Sequence, residues 1–195
     1  MAIYKPQQIF SDLYTIFLFT KADIVIALIP VVSIIYRLSM FFDTEAYKTL
    51  FAIAAAPLSS PIRLIDTTFW IWLHLLQFNV ANQVKAPNED RVNKPFRPIP
   101  AGRITVHNAT ILRWALVPIC LVYSTLYSPQ LTWVSLTILC LTTWYNEHNG
   151  DRESFSKNLL TAIMYVLSEL GGTLVAGKRR LALDCTKRAH HLSRP

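Results

Sequence analysis

Residues 82–103 read Asn-Gln-Val-Lys-Ala-Pro-Asn-Glu-Asp-Arg-Val-Asn-Lys-Pro-Phe-Arg-Pro-Ile-Pro-Ala-Gly-Arg, a stretch built from residue types that handle anions and metals. Two carboxylates, Glu89 and Asp90, stand among the cations Lys85, Arg91, Lys94, Arg97 and Arg103. The oxygens of Asn82, Glu89 and Asp90 suit a hard cation such as Mg²⁺, which is commonly held by one or two carboxylates plus substrate phosphates and keeps several waters. Guanidinium groups grip phosphate oxygens bidentately and lysine acts as a point charge, so Lys94, Arg97 and Arg103 are candidates to neutralise a diphosphate. Pro95, Pro98 and Pro100 bias residues such as Arg97 and Ile99 to extended backbone and keep the stretch out of a helix, which pre-organises the loop. Just before it lies an apolar run, 64–81, interrupted by Asp66, His74, Gln77 and Asn79. It approaches the ~20 residues that cross a ~30 Å hydrocarbon core. A charged loop at a bilayer surface, backed by greasy helices, suits an amphiphile with an anionic head: an isoprenyl diphosphate.

Positioning that loop requires a frame. Five apolar segments, near 24–42, 64–81, 109–127, 131–145 and 159–176, predict an all-α polytopic membrane protein of one domain. Cationic loops stay cytoplasmic, so residues 82–103 face the cytoplasm and the Ser128-Pro129 hairpin faces away. The loop 146–158 then returns beside the first, bringing Glu147, Asp151, Arg152, Glu153 and Lys157. Arg152 and Lys157 are further diphosphate candidates, whereas Glu147 and Asp151 act from further out or are solvated. Thr105 or Asn108 caps the third segment. The sequon Asn108-Ala109-Thr110 falls on the cytoplasmic side, so no glycan is expected there. His74, Gln77 and Asn79 share one helix face, which should turn inward because polar groups in membranes face bundle interiors or cavities.

Aromatic rings stabilise cations through their faces, but most of the tryptophans and tyrosines fall near segment ends, where they anchor helices at the interface. Trp144 and Tyr145, beside the motif loop, are the candidates for substrate contact, with His74 lining the same space. The bland alternative for the loop charges is a solvated, self-neutralising patch that merely sets orientation.

Composition agrees with a membrane protein: 52% of the 195 residues are hydrophobic and 16% charged, too apolar for an ordinary soluble domain. The net charge of +7 sits largely in the tail, where Lys178, Arg179, Arg180, Lys187, Arg188 and Arg194 face only Asp184, so it does not point to nucleic acid. Cys120, Cys140 and Cys185 have neither metal-site nor disulfide spacing. The first twelve residues lack the pattern of a signal peptide, and no Ser/His/Asp arrangement marks a hydrolase.

The series Asn82, Asp90, then Arg91-Val92-Asn93-Lys94-Pro95, Arg97-Pro98 and Pro100-Ala101-Gly102-Arg103 resembles the first aspartate-rich motif of the UbiA superfamily of intramembrane prenyltransferases. The family pattern is N-x-x-x-D-x-x-x-D followed by R-x-N-R/K-P, R-P-x-P and G-R. Its middle position is Ala86 here, leaving Glu89 and Asn88 as the nearest oxygens. The Asn82-Gln83 start and the Arg97-Pro98-Ile99-Pro100-Ala101-Gly102-Arg103-Ile104-Thr105 run are similar to a fungal branch that includes sesquiterpene cyclases as well as aromatic prenyltransferases. The resemblance implies catalytic roles for Asn82 and Asp90, Mg²⁺ held by Asn82, Glu89 and Asp90, and transfer of an isoprenyl group from a prenyl diphosphate to a hydrophobic, often aromatic, acceptor. Cyclisation of farnesyl diphosphate is the alternative.

It covers residues 1–184 as the first half of a nine-helix fold, without the second D-x-x-x-D motif. Residues 32–50 interrupt an otherwise continuous apolar helix and read as an insertion of the kind a retained intron gives, and 185–195 form an atypical basic tail. A truncated, non-catalytic membrane remnant is the reading outside the enzyme class.

Overall fold

The structure is a computed structural model that describes residues 6–29 and 61–177. The regular elements among them are all helical: α1 (Pro6–Asp23) running into a π-helical stretch (Ile24–Leu28), α2 (Pro61–Lys85), α3 (Pro87–Asn93), α4 (Val106–Thr125), α5 (Pro129–Glu147) and α6 (Ser154–Gly177). The insertion expected at 32–50 and the tail at 185–195 lie outside the described residues.

Local signals explain the helix starts. Thr105 is extended and its hydroxyl accepts from the Asn108 amide, capping α4. Ser128 does the same for Leu131 ahead of α5, with Pro129 in the first turn, where a missing N–H costs nothing. Pro87 likewise opens α3.

Two segment boundaries differ from the sequence reading. A helix over Pro6–Asp23 stands where no apolar segment was expected, its apolar residues being interleaved with Gln7, Gln8, Asp12 and Lys21, whereas the expected segment 24–42 lies outside the described residues beyond residue 29. α2 continues past residue 81 to Lys85, a length of about 37 Å at 1.5 Å per residue. Its last turn holds polar residues that read as loop. Of the five expected spans, two described helices are long and apolar enough to cross a membrane, Val106–Thr125 and Ser154–Ala176.

α2 is the hub and packs against α1, α4, α5 and α6. Two apolar clusters flank it. One gathers Trp70, Ile71, Tyr127, Leu131, Ile138, Leu174 and Val175; the other gathers Phe19, Leu73, Leu76, Val80, Ala109, Leu116, Cys120 and Leu139. Trp70 is fully buried and donates Nε1–H to Ser124 Oγ at 2.9 Å. It sits so close to Gly171 that a Cβ there would meet the indole at 2.1 Å, so glycine is required for this α2–α6 contact. α4 and α5 run antiparallel through the 126–128 turn, leaving the 94–105 loop and the 148–153 loop at the opposite end from that turn.

Candidate prenyl diphosphate site

The two polar loops meet. Lys85 Nζ, at the end of α2, donates to Asp151 Oδ1 at 2.6 Å, tying the 82–103 stretch to the α5–α6 loop. A second ion pair on neighbouring helices joins Arg113 of α4 to Glu147 of α5. Glu147 and Asp151 are thus engaged with cations rather than simply solvated.

Within the first stretch, Asn82 lies one turn inside α2 and is partly buried. Asp90, in the stretch read as loop, lies in the short helix α3, because Pro87 at the first helical position lets the chain restart as a helix. Asp90 is buried, at 6% exposure, and both its carboxylate oxygens accept from Arg97 Nη1, at 2.9 and 2.7 Å. Arg97 is placed by turns closed through Arg97 N to Lys94 O and Ala101 N to Arg97 O. Gly102, at φ +70°, then bends the chain in a conformation that side chains rarely adopt.

Arg103 swings to α1: its Nε donates to Thr15 Oγ1 at 3.2 Å and its guanidinium lies 4.9 Å from the centre of the Tyr14 ring. Glu89 and Lys94 are exposed, as are Arg152 in the second loop and Lys157 in the first turn of α6. Six cations with differing freedom, Lys85, Lys94, Arg97, Arg103, Arg152 and Lys157, therefore stand at one end of the bundle, two of them, Lys85 and Arg97, already paired to carboxylates.

The remaining predicted residues divide. Trp144 and Tyr145 face different ways, since successive helical residues point about 100° apart. Trp144 is 56% exposed and lines an outward groove between α4 and α5 with Trp114, Cys140 and His148. Tyr145, 5% exposed, turns inward and meets Phe78 edge-on at 5.3 Å. His74 lines an apolar cavity of about 100 Å³ between the π-helical stretch, α2, α5 and α6. Gln77 and Asn79 are buried as their shared face suggested, and Asn79 Nδ2 donates to Phe19 O at 3.2 Å and Asp23 Oδ2 at 2.8 Å.

Sequence reasoning passed over Arg113 and Ser135. Arg113 is 5% exposed, paired to Glu147 and set 4.7 Å from the Trp114 ring centre. A lone arginine inside an apolar segment was the available signal. Ser135, a hydroxyl in an apolar helix, gave none.

For a divalent cation the donor chemistry fits: the Asn82, Glu89 and Asp90 side chains are hard oxygen ligands close together in the chain, and Mg²⁺ needs only one or two carboxylates beside phosphate and water. Among the described residues no three His, Cys, Asp or Glu side chains converge, so such an ion would lean on substrate oxygens.

The bundle thus carries a cationic, carboxylate-bearing rim at one end and a largely apolar interior. Residues 46–183 match the UbiA prenyltransferase family, and the chain belongs to that family, whose members are membrane-embedded and use prenyl diphosphates. The fumagillin beta-trans-bergamotene synthase of Aspergillus fumigatus is 35% identical over 156 residues, covering 78% of this chain and 46% of that protein. A diterpene cyclase of Hericium erinaceus is 32% identical over 110 residues, 51% of this chain and 35% of its own length. A polyprenyl transferase of the same fungus is 34% identical over 114 residues, 52% and 39% respectively. The chain therefore spans less than half the length of these curated relatives. No solved structure matches it.

Proposed function

We propose that this chain forms the diphosphate-binding half of a membrane prenyltransferase that moves an isoprenyl group from a prenyl diphosphate to a hydrophobic, aromatic-type acceptor. The observation that carries the reading is the Lys85–Asp151 bridge, which sets the 82–103 stretch and the α5–α6 loop around one surface. Lys94, Arg152 and Lys157 are exposed there and bind the phosphate oxygens; Arg97 and Arg103 add bidentate contacts as they exchange from Asp90 and Thr15. Asn82, Glu89 and Asp90 would hold Mg²⁺, whose charge would offset that developing on the departing diphosphate. The prenyl chain lies along α2, whose inward face carries Phe78 and Leu75 toward the cavity. The motif end faces the cytoplasm, where positive loops are retained.

Cyclisation of the prenyl chain is the second reading, supported by relatives named as a bergamotene synthase and a diterpene cyclase. The test is expression in membranes supplied with farnesyl diphosphate, Mg²⁺ and a panel of aromatic acceptors. Prenylated product above an Asp90→Ala control supports transfer, and a cyclic hydrocarbon supports the second reading. Diphosphate neither bound nor consumed contradicts both.

A further inference from the structure

Asp23, the last residue of α1, carries a carboxylate that the bundle fixes without using up. Its Oδ2 accepts from Asn79 Nδ2 at 2.8 Å, and the same nitrogen donates to Phe19 O at 3.2 Å. Asn79 is 5% exposed, so this amide is a set part of the α1–α2 contact. Asp23 itself is only partly buried, and its Oδ1 has neither a hydrogen bond nor a cation among the described residues. Lys21 lies two positions back, about 200° round the helix, and is exposed. The chain widens into π-helical turns directly after Asp23, at Ile24–Leu28, a distortion frequent at functional sites.

The carboxylate sits between the polar rim and the apolar interior. Its partner Asn79 stands three residues before Asn82, about 4.5 Å farther from the motif end at 1.5 Å per residue. Tyr165 of α6 is within electrostatic reach of Asp23. Tyr165 also lines the apolar cavity, as do Ala27, four residues on from Asp23, and Phe78, next to Asn79. An ionisable group set inside a membrane bundle marks a functional site, because holding it there without a counter-charge is costly.

We propose that Asp23 recognises the acceptor: its Oδ1 accepts the O–H of a neutral hydroxyarene whose ring lies beside the allylic carbon of the prenyl diphosphate. The proposal rests on the reading that the 82–103 stretch binds that diphosphate, and it deepens that reading by naming the acceptor class. The first carbon of a chain anchored there by its phosphates lies just below the stretch, which is the level of Asp23. A hydrogen bond from the hydroxyl to a carboxylate shifts electron density into the ring and enriches the ring carbons that attack the allylic position. The bond is charge-assisted and so roughly twice as strong as a neutral one. An acceptor bearing its own carboxylate would meet Asp23 as a like charge, with no cation beside it to compensate, and is disfavoured.

Three probes of one shape test this on the chain in lipid nanodiscs, each corrected for partitioning into empty discs: pentylphenol, its methyl ether, and pentylbenzoate. The phenol is expected to bind about tenfold tighter than the ether, which offers no donor, and the benzoate more weakly than either. Asp23→Leu should bring the ratio of phenol to ether affinity to about one, and Asp23→Asn, which keeps an oxygen without the charge, should leave a preference of about threefold. The ratio is the readout, so a general loss of affinity from a disturbed α1 cancels. Equal affinities in the parent chain, a ratio unchanged by Asp23→Leu, or tightest binding of the benzoate overturns the assignment. So does binding of none of the three by a chain that takes up farnesyl diphosphate. Farnesyl diphosphate titrated into the same discs checks the underlying reading separately: its failure to bind contradicts that reading whatever the phenol ratio shows.

Discussion

Arg97 Nη1 sits between the two carboxylate oxygens of Asp90, at 2.9 and 2.7 Å, and so closes the motif loop on its own most buried acid. The side chains retain 14% and 9% exposure. The pair organises the loop, and under the proposed function it also joins a cation that would bind diphosphate to a carboxylate that would bind metal.

Removing Arg97 should therefore hurt the fold as well as binding. Breaking a buried ion pair on one side leaves an uncompensated charge and costs about 3–5 kcal/mol; here the low end is expected because both groups keep some exposure. Arg97→Ala should lower the melting temperature in detergent more than the double variant Arg97→Ala/Asp90→Ala does. The reverse order contradicts the pairing.

The Arg113–Glu147 pair makes the same point asymmetrically. Arg113 is 5% exposed and Glu147 44%. Glu147→Ala strands a buried guanidinium, whereas Arg113→Leu removes the charge and leaves an acid that water can reach. Melting curves should rank Glu147→Ala below Arg113→Leu, and equal losses would show that the ion pair carries no weight.

Gly171→Ala puts a methyl group 2.1 Å from the Trp70 ring. Overpacking of a filled core typically costs about 1–3 kcal/mol. A melting temperature unchanged by this substitution would mean that Trp70 is not seated as described.

Some of this was readable beforehand. Thr105 announced its helix because capping is settled within three residues, and the buried face of His74, Gln77 and Asn79 followed from helical spacing. The end of α2 was not readable, because Asn82, Gln83 and Lys85 have loop-like polarity and only their packing on α1, where Gln83 Nε2 donates to Phe19 O at 3.2 Å, extends the helix through them. The Asp90–Arg97 pair depends on turns that bring residues seven apart together, and the partnering of His74 with Ser135 spans 61 positions. Neither leaves a local trace. Trp144 and Tyr145 were both read as substrate contacts because they fall beside the motif loop, and helix geometry turns one outward and the other inward.

Topology can be tested without a ligand. The Lys85–Asp151 bridge requires residues 88 and 149 on one side of the membrane, and the α4–α5 turn puts residue 128 on the other. Single cysteines at these three positions, in a chain with Cys120, Cys140 and Cys185 replaced by serine, should label from the cytoplasm, the cytoplasm and the opposite side respectively. Labelling of 88 and 149 from opposite sides would separate the two loops.

The central claim is that the 82–103 stretch and the α5–α6 loop bind one diphosphate, and calorimetric titration of the chain in nanodiscs with farnesyl diphosphate, with and without Mg²⁺, addresses it most directly. The account predicts saturable binding strengthened by Mg²⁺, weakened about tenfold or more by Asp90→Ala in the first stretch and also by a Arg152→Ala/Lys157→Ala double substitution in the second. Binding indifferent to Mg²⁺ and to both sets of substitutions would contradict it.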